Sequence, residues 1–86
     1  MHTSSNSRFG FLLVPGFPMA CLTSAIEPLR AANEIAGVDV FQWQLLSESG
    51  DTVNSSANVL FQPDCALADA DRLDYLFLLA RGGPAF

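Results

Sequence analysis

The chain contains no lysine. Its basic side chains are Arg8, Arg30, Arg72 and Arg81, set against nine acids for a formal charge of −5. No basic patch exists to neutralise a run of phosphates, which excludes duplex binding by this segment alone. Histidine occurs once, as His2, so the usual general base is missing from the neighbourhood of any nucleophile further along. The two cysteines, Cys21 and Cys65, are too few for a disulfide framework, and both are expected to be buried and reduced. No apolar stretch reaches the roughly 18 to 20 residues that span a bilayer. Arg8, the apolar run FGFLLVPGFPMACL and the small residues TSA imitate a secretory signal, but Gly10, Pro15, Gly16 and Pro18 break the run before a signal helix can form. Repeats, low-complexity tracts and an internal linker are also missing. These absences predict a cytoplasmic location with no membrane partner.

What is present is a high apolar load. Half of the 86 residues are hydrophobic and 15% are charged, whereas a chain of this size buries little more than about 60% of its unfolded surface. Part of its surface is therefore expected to be covered by something else, as in a piece of a larger domain.

The pattern along the chain is that of an α/β protein. Residues 1–8, MHTSSNSR, read as a disordered leader and 9–86 as one incomplete domain. Phe9 to Val14 is a short continuous apolar run, the mark of a strand buried on both faces. After the loop PGFPM, Leu22, Ala25, Ile26, Leu29, Ala32 and Ala36 recur at helical spacing, with Gly37 placed as the stop. Val40 to Ser47 alternates as a partly exposed strand, completing a βαβ unit. Turn residues around Thr52-Val53 and Val59 to Phe61 predict a small hairpin. CALADADRLD predicts one helical turn edged with acids, and Asp74 to Ala80 a second doubly buried strand running into Arg81-Gly82-Gly83. The fold class expected is a partial flavodoxin-like sandwich with a mostly parallel sheet.

Ligands of open α/β sheets bind beyond the carboxyl ends of the strands. Two such ends stand out, PGFPM and ARGGPAF, which makes Pro15, Gly16, Phe17, Gly82 and Gly83 candidate ligand-binding residues. Glu27 is the sixth candidate, with two readings. A helical wheel groups it with Thr23, Arg30 and Glu34 in a solvated charge ladder. Against that, Pro28 has no N–H for the carbonyl of Ser24, so the helix is expected to kink or begin again there, and Ser24 with Glu27 matches a capping box that would turn the carboxylate toward the loop. Cys21 lies near a helix N-terminus but has no neighbouring histidine. Gly82-Gly83 is either an anion nest or a tight turn. Asp69, Asp71 and Asp74 read as a solvated edge rather than a metal site, and neither catalytic residue nor metal nor cofactor is implied.

The runs FGFLLVPGF, AIEPLRAAN, FQWQLLSESGDTVNSS and PDCALADADRLDYLFLL resemble the opening of the GlxA-type transcriptional regulators of the AraC superfamily, over Phe9 to Gly83. The resemblance implies an N-terminal domain of the ThiJ/PfpI, class I glutamine amidotransferase-like type that senses a small metabolite without turning it over. The effector would be of amino-acid or quaternary-amine type. DNA would be bound only through a C-terminal helix-turn-helix region beyond this sequence, in a protein that is a homodimer at full length. In catalytic relatives a glutamate at the place of Glu27 meets a cysteine on a later strand-to-helix elbow, which this sequence does not reach. Two alternatives stay open: a piece of a cysteine-dependent enzyme of that superfamily (amidase, glyoxalase or hydratase-like), and a small structural protein closed by self-association.

Overall fold

Residues 7–81 are described by the structure, a computed structural model. The first apolar run becomes strand β1 (Ser7–Leu13). It starts two residues earlier than the pattern suggests, because the Ser7 N–H donates to the Val40 carbonyl at 3.2 Å and the Arg8 N–H to the Asp74 carboxylate at 2.8 Å. The rest of the expected leader lies outside the described residues.

Helix α1 (Met19–Ala36) runs unbroken through Pro28. This corrects the expected restart: Pro18 occupies the N-cap without a side-chain bond, so Ser24 is already inside the helix and no capping box forms. Ser24 and Pro28 are both exposed. The carbonyl left without its helical donor is on the solvent side, where water substitutes for the missing N–H at lower cost than in a core. Gly37 ends the helix in the left-handed conformation, φ 76°, with its N–H donating to the Asn33 carbonyl at 2.9 Å, as its position in the sequence suggests.

Strand β2 (Phe41–Ser47) pairs in parallel with β1, and the antiparallel hairpin β3 (Val53–Asn54) and β4 (Leu60–Phe61) follows. The expected helical turn at CALADADRLD is present as a 3-10 turn over Leu67–Asp69, preceded by a short strand β5 (Cys65–Ala66) that the pattern does not show. Asp64 explains the added strand. Its carboxylate accepts the Leu45 N–H at 2.7 Å while its own N–H donates to the Leu45 carbonyl at 2.7 Å, which docks the chain on β2 just ahead of the turn. The chain then passes to β6 (Tyr75–Leu79), parallel to β1 on its other side, giving the sheet order β5-β2-β1-β6.

The core lies between α1 and the sheet. Phe11, Leu13, Phe17, Leu22 and Val53 are buried there, with Phe9, Ala25, Ile26, Leu29, Trp43 and Leu45 packed against them. On the opposite face the Leu73 side chain, from the segment before β6, packs so close to β1 that a Cβ at Gly10 would lie 2.5 Å from its Cδ1 atom, so a larger residue there would have to displace the leucine side chain.

Strand β6 corrects a second expectation, that it is buried on both faces. Tyr75, Leu76, Phe77 and Leu78 are 54%, 51%, 45% and 65% exposed, because β6 is an edge strand and α1 covers its neighbours, leaving an apolar groove of about 280 Å³ between α1 and β6. Among the described residues no helix is long and apolar enough to cross a membrane.

Candidate functional site

The turn after β1 is built from Val14 to Phe17. The Phe17 N–H donates to the Val14 carbonyl at 2.9 Å, and Gly16, at φ 88°, aims its N–H at the Asn54 carbonyl at 2.8 Å. That φ is readily open to glycine and strained for most other residues. The three candidates in this turn have separate fates. Pro15 lines a cavity. Gly16 supplies the backbone shape. Phe17 turns its side chain fully into the core, edge-on to Phe61 at 5.1 Å between ring centres.

The cavity, of about 300 Å³, sits at the carboxyl ends of β1 and β2, where strand-end geometry places ligand sites. Leu12, Leu13, Val14, Val53 and Leu67 give it an apolar floor, and Ser47, Glu48, Ser49, Asp51 and Thr52 a polar wall. That wall is held in place. The Ser47 hydroxyl, almost fully buried, accepts the Gly50 N–H at 2.8 Å and donates to the Asp51 carbonyl at 2.9 Å. Ser49 donates its hydroxyl to the Asp51 carboxylate at 3.0 Å. Gly50, at φ 91°, lies against Ala66, whose N atom would be 3.3 Å from an added Cβ. Glu48 and Asp51 bring two negative charges to the wall, and among the described residues no basic side chain lines it.

Glu27 is elsewhere. It is exposed on α1, its carboxylate 3.0 Å from both Nε and Nη2 of Arg30, whose Nη1 lies 3.4 Å from Glu34. The hydrogen bond Arg30 donates to Glu27, then the charge of Glu27 and that of Glu34, hold the Arg30 guanidinium above its ordinary pKa. The geometry is that of the solvated ladder, and Glu27 does not line the cavity. Gly82 and Gly83 lie outside the described residues.

The thiols do not assemble a nucleophile. Cys21 is exposed, not buried as its residue type suggests, because the first turn of α1 presents it to solvent; Cys65 is half-buried, and both are free. Burial first, then the charges of Asp69, Asp64 and Asp71, push the Cys65 thiol pKa up, which keeps it protonated and unreactive at neutral pH. The aspartates near β6 are engaged by protein partners. The Asp71 carboxylate accepts from Gln44 Nε2 at 3.2 Å and faces Arg8 at 3.7 Å, while Asp74 accepts the Arg8 N–H.

The residues missed in the sequence are Ser47, Glu48, Ser49, Asp51, Thr52 and Leu67. A signal was available: SESGDT follows β2 directly, so the strand-end rule applied to PGFPM applied there as well.

Comparison with known proteins gives a consistent picture. No family model matches. The chain is 40% identical over 72 residues to the HTH-type transcriptional regulator CdhR of Pseudomonas aeruginosa, covering 84% of this chain and 21% of that protein. To the HTH-type transcriptional regulator GlxA of Rhizobium meliloti it is 38% identical over 88 aligned positions, covering 98% of this chain and 27% of that protein. The crystal structure of an AraC family transcriptional regulator from Pseudomonas putida superimposes with a TM-score of 0.76 at 33% identity, over 85% of this chain and 40% of that one. The chain thus spans about a fifth to a quarter of the length of these curated relatives.

Proposed function

Given that this chain belongs to the AraC-type transcriptional regulators that include GlxA, we propose that its α/β unit is the effector-sensing part of such a regulator, a ThiJ/PfpI-like domain that binds a small metabolite without transforming it. DNA is then contacted by a helix-turn-helix region elsewhere in a cytoplasmic, homodimeric protein. The acidic balance of this segment supports that division of labour, since it has no lysine and a charge of −5.

The observation that carries the reading is the cavity at the tips of β1 and β2. Its apolar floor and its two carboxylates, Glu48 and Asp51, with no cation among the described residues that line it, suit an effector with a positive charge on a compact apolar body, the amino-acid or quaternary-amine class. A non-catalytic role is supported by the relatives, which are named as transcriptional regulators.

Calorimetric titration of the full-length regulator with choline and with its neutral carbon isostere tests this. The reading expects choline to bind at least about tenfold more tightly, a difference near 1.4 kcal/mol. Equal affinities, or no binding of choline, tetramethylammonium or arginine, would remove the cationic effector.

A further inference from the structure

The hairpin β3–β4 is too short to be stable alone, with two residues in each strand. It is held by a latch. The Gly16 N–H donates to the Asn54 carbonyl and the Ser56 N–H to the Phe17 carbonyl, both at 2.8 Å. Phe17 and Ser55 form a parallel bridge, and the Phe17 ring packs edge-on against Phe61. The hairpin loop is ordered from within by Ser55, nearly fully buried, whose hydroxyl accepts the N–H groups of Ala57 and Val59 at 3.2 Å each.

The two halves of the latch are continuous with the two walls of the cavity. Pro15 lines it and immediately precedes Gly16; Thr52 and Val53 line it and immediately precede Asn54. The two latch bonds therefore sit one to three residues along the chain from cavity-lining residues. The outer side of the hairpin carries Val59 and Leu60, 44% and 66% exposed.

We propose that the hairpin responds to occupancy of the cavity, which draws Pro15 and Thr52 onto a common ligand and tightens the Gly16–Asn54 and Phe17–Ser56 latch. The proposal deepens the effector reading and rests on it for the identity of the occupant, though the latch can be tested without one. Amides in such local units exchange through openings of their own.

In the full chain, Leu67→Trp fills the cavity from the 3-10 turn, and Thr52→Tyr fills it from the opposite wall should the first variant not fold. Hydrogen exchange at the Gly16 and Ser56 amides is expected to slow by about fivefold or more, while Phe11 and Leu45 in the central strands stay within about twofold. Exchange at Gly16 and Ser56 that is unchanged, or that shifts only in step with the central strands, overturns the latch. A second arm uses choline. If it binds by calorimetry yet leaves both amides unchanged, the latch fails and the effector reading stands. If it does not bind while the filled variants still slow the two amides, the effector reading fails and the latch stands.

Discussion

Asn33 secures the start of β2 from the far end of α1. Its side-chain amide donates to the Phe41 carbonyl and its carboxamide oxygen accepts the Phe41 N–H, both at 2.9 Å. Asp64 and Asp74 make the same kind of two-way clasp. Asp64 closes on Leu45, and Asp74 closes on Arg8, whose carbonyl accepts the Asp74 N–H at 2.8 Å. Each pair satisfies backbone groups at a place where a strand pairing begins, which fixes register as well as direction. Replacing Asn33 with leucine keeps the size but leaves the N–H and carbonyl of a half-buried residue unpaired. The expected loss is about 1–3 kcal/mol in urea unfolding of the full chain. An unchanged midpoint would mean that the turn over Val38 to Val40 sets the register without Asn33. These clasps were not legible in the sequence. Gly37 could be read because a helix stop depends on one residue's own backbone freedom. The role of Asn33 depends on a turn bringing Phe41 back to it, and an aspartate before a strand looks the same whether it clasps a neighbour or faces water.

At the level of elements, hydrophobic period located β1, α1, β2 and β6 to within a few residues, and turn residues located the hairpin and the turn after β5. The pattern missed β5, which the Asp64 side-chain bond sets, and it misjudged exposure where that depends on neighbours the period does not describe, as at β6 and Cys21. The site was half legible for the same reason. Pro15 and Gly16 announce a tight turn, but the wall of Glu48 to Thr52 becomes a wall only when β2 lies beside β1, and Phe17 is taken by the core. Pro28 gives the cleanest test at this scale. An unbroken helix carrying a proline on its solvent side has an unmet carbonyl and a steric clash to relieve. Pro28→Ala is expected to stabilise the chain by about 1–3 kcal/mol in chemical denaturation. A destabilised variant would show that the shape Pro28 imposes on α1 is needed for its packing on the sheet.

For the whole molecule, the sheet has a covered part and a bare one. β1, β2 and α1 enclose the core, while β6, an edge strand among the described residues, presents Tyr75, Leu76, Phe77 and Leu78 to solvent. Parallel strands are stable when both faces are covered, and a bare apolar edge promotes association. The cavity lies away from this edge, between the tips of β1 and β2. The central claim, that these walls select a positively charged effector, is tested most directly by measuring choline affinity in the full-length regulator carrying Glu48→Gln and Asp51→Asn together, with Glu27→Gln as a separate variant. The account predicts a loss of about tenfold or more for the double variant and no change for Glu27→Gln, whose carboxylate is committed to Arg30. Undiminished affinity in the double variant, or a loss confined to Glu27→Gln, would contradict it.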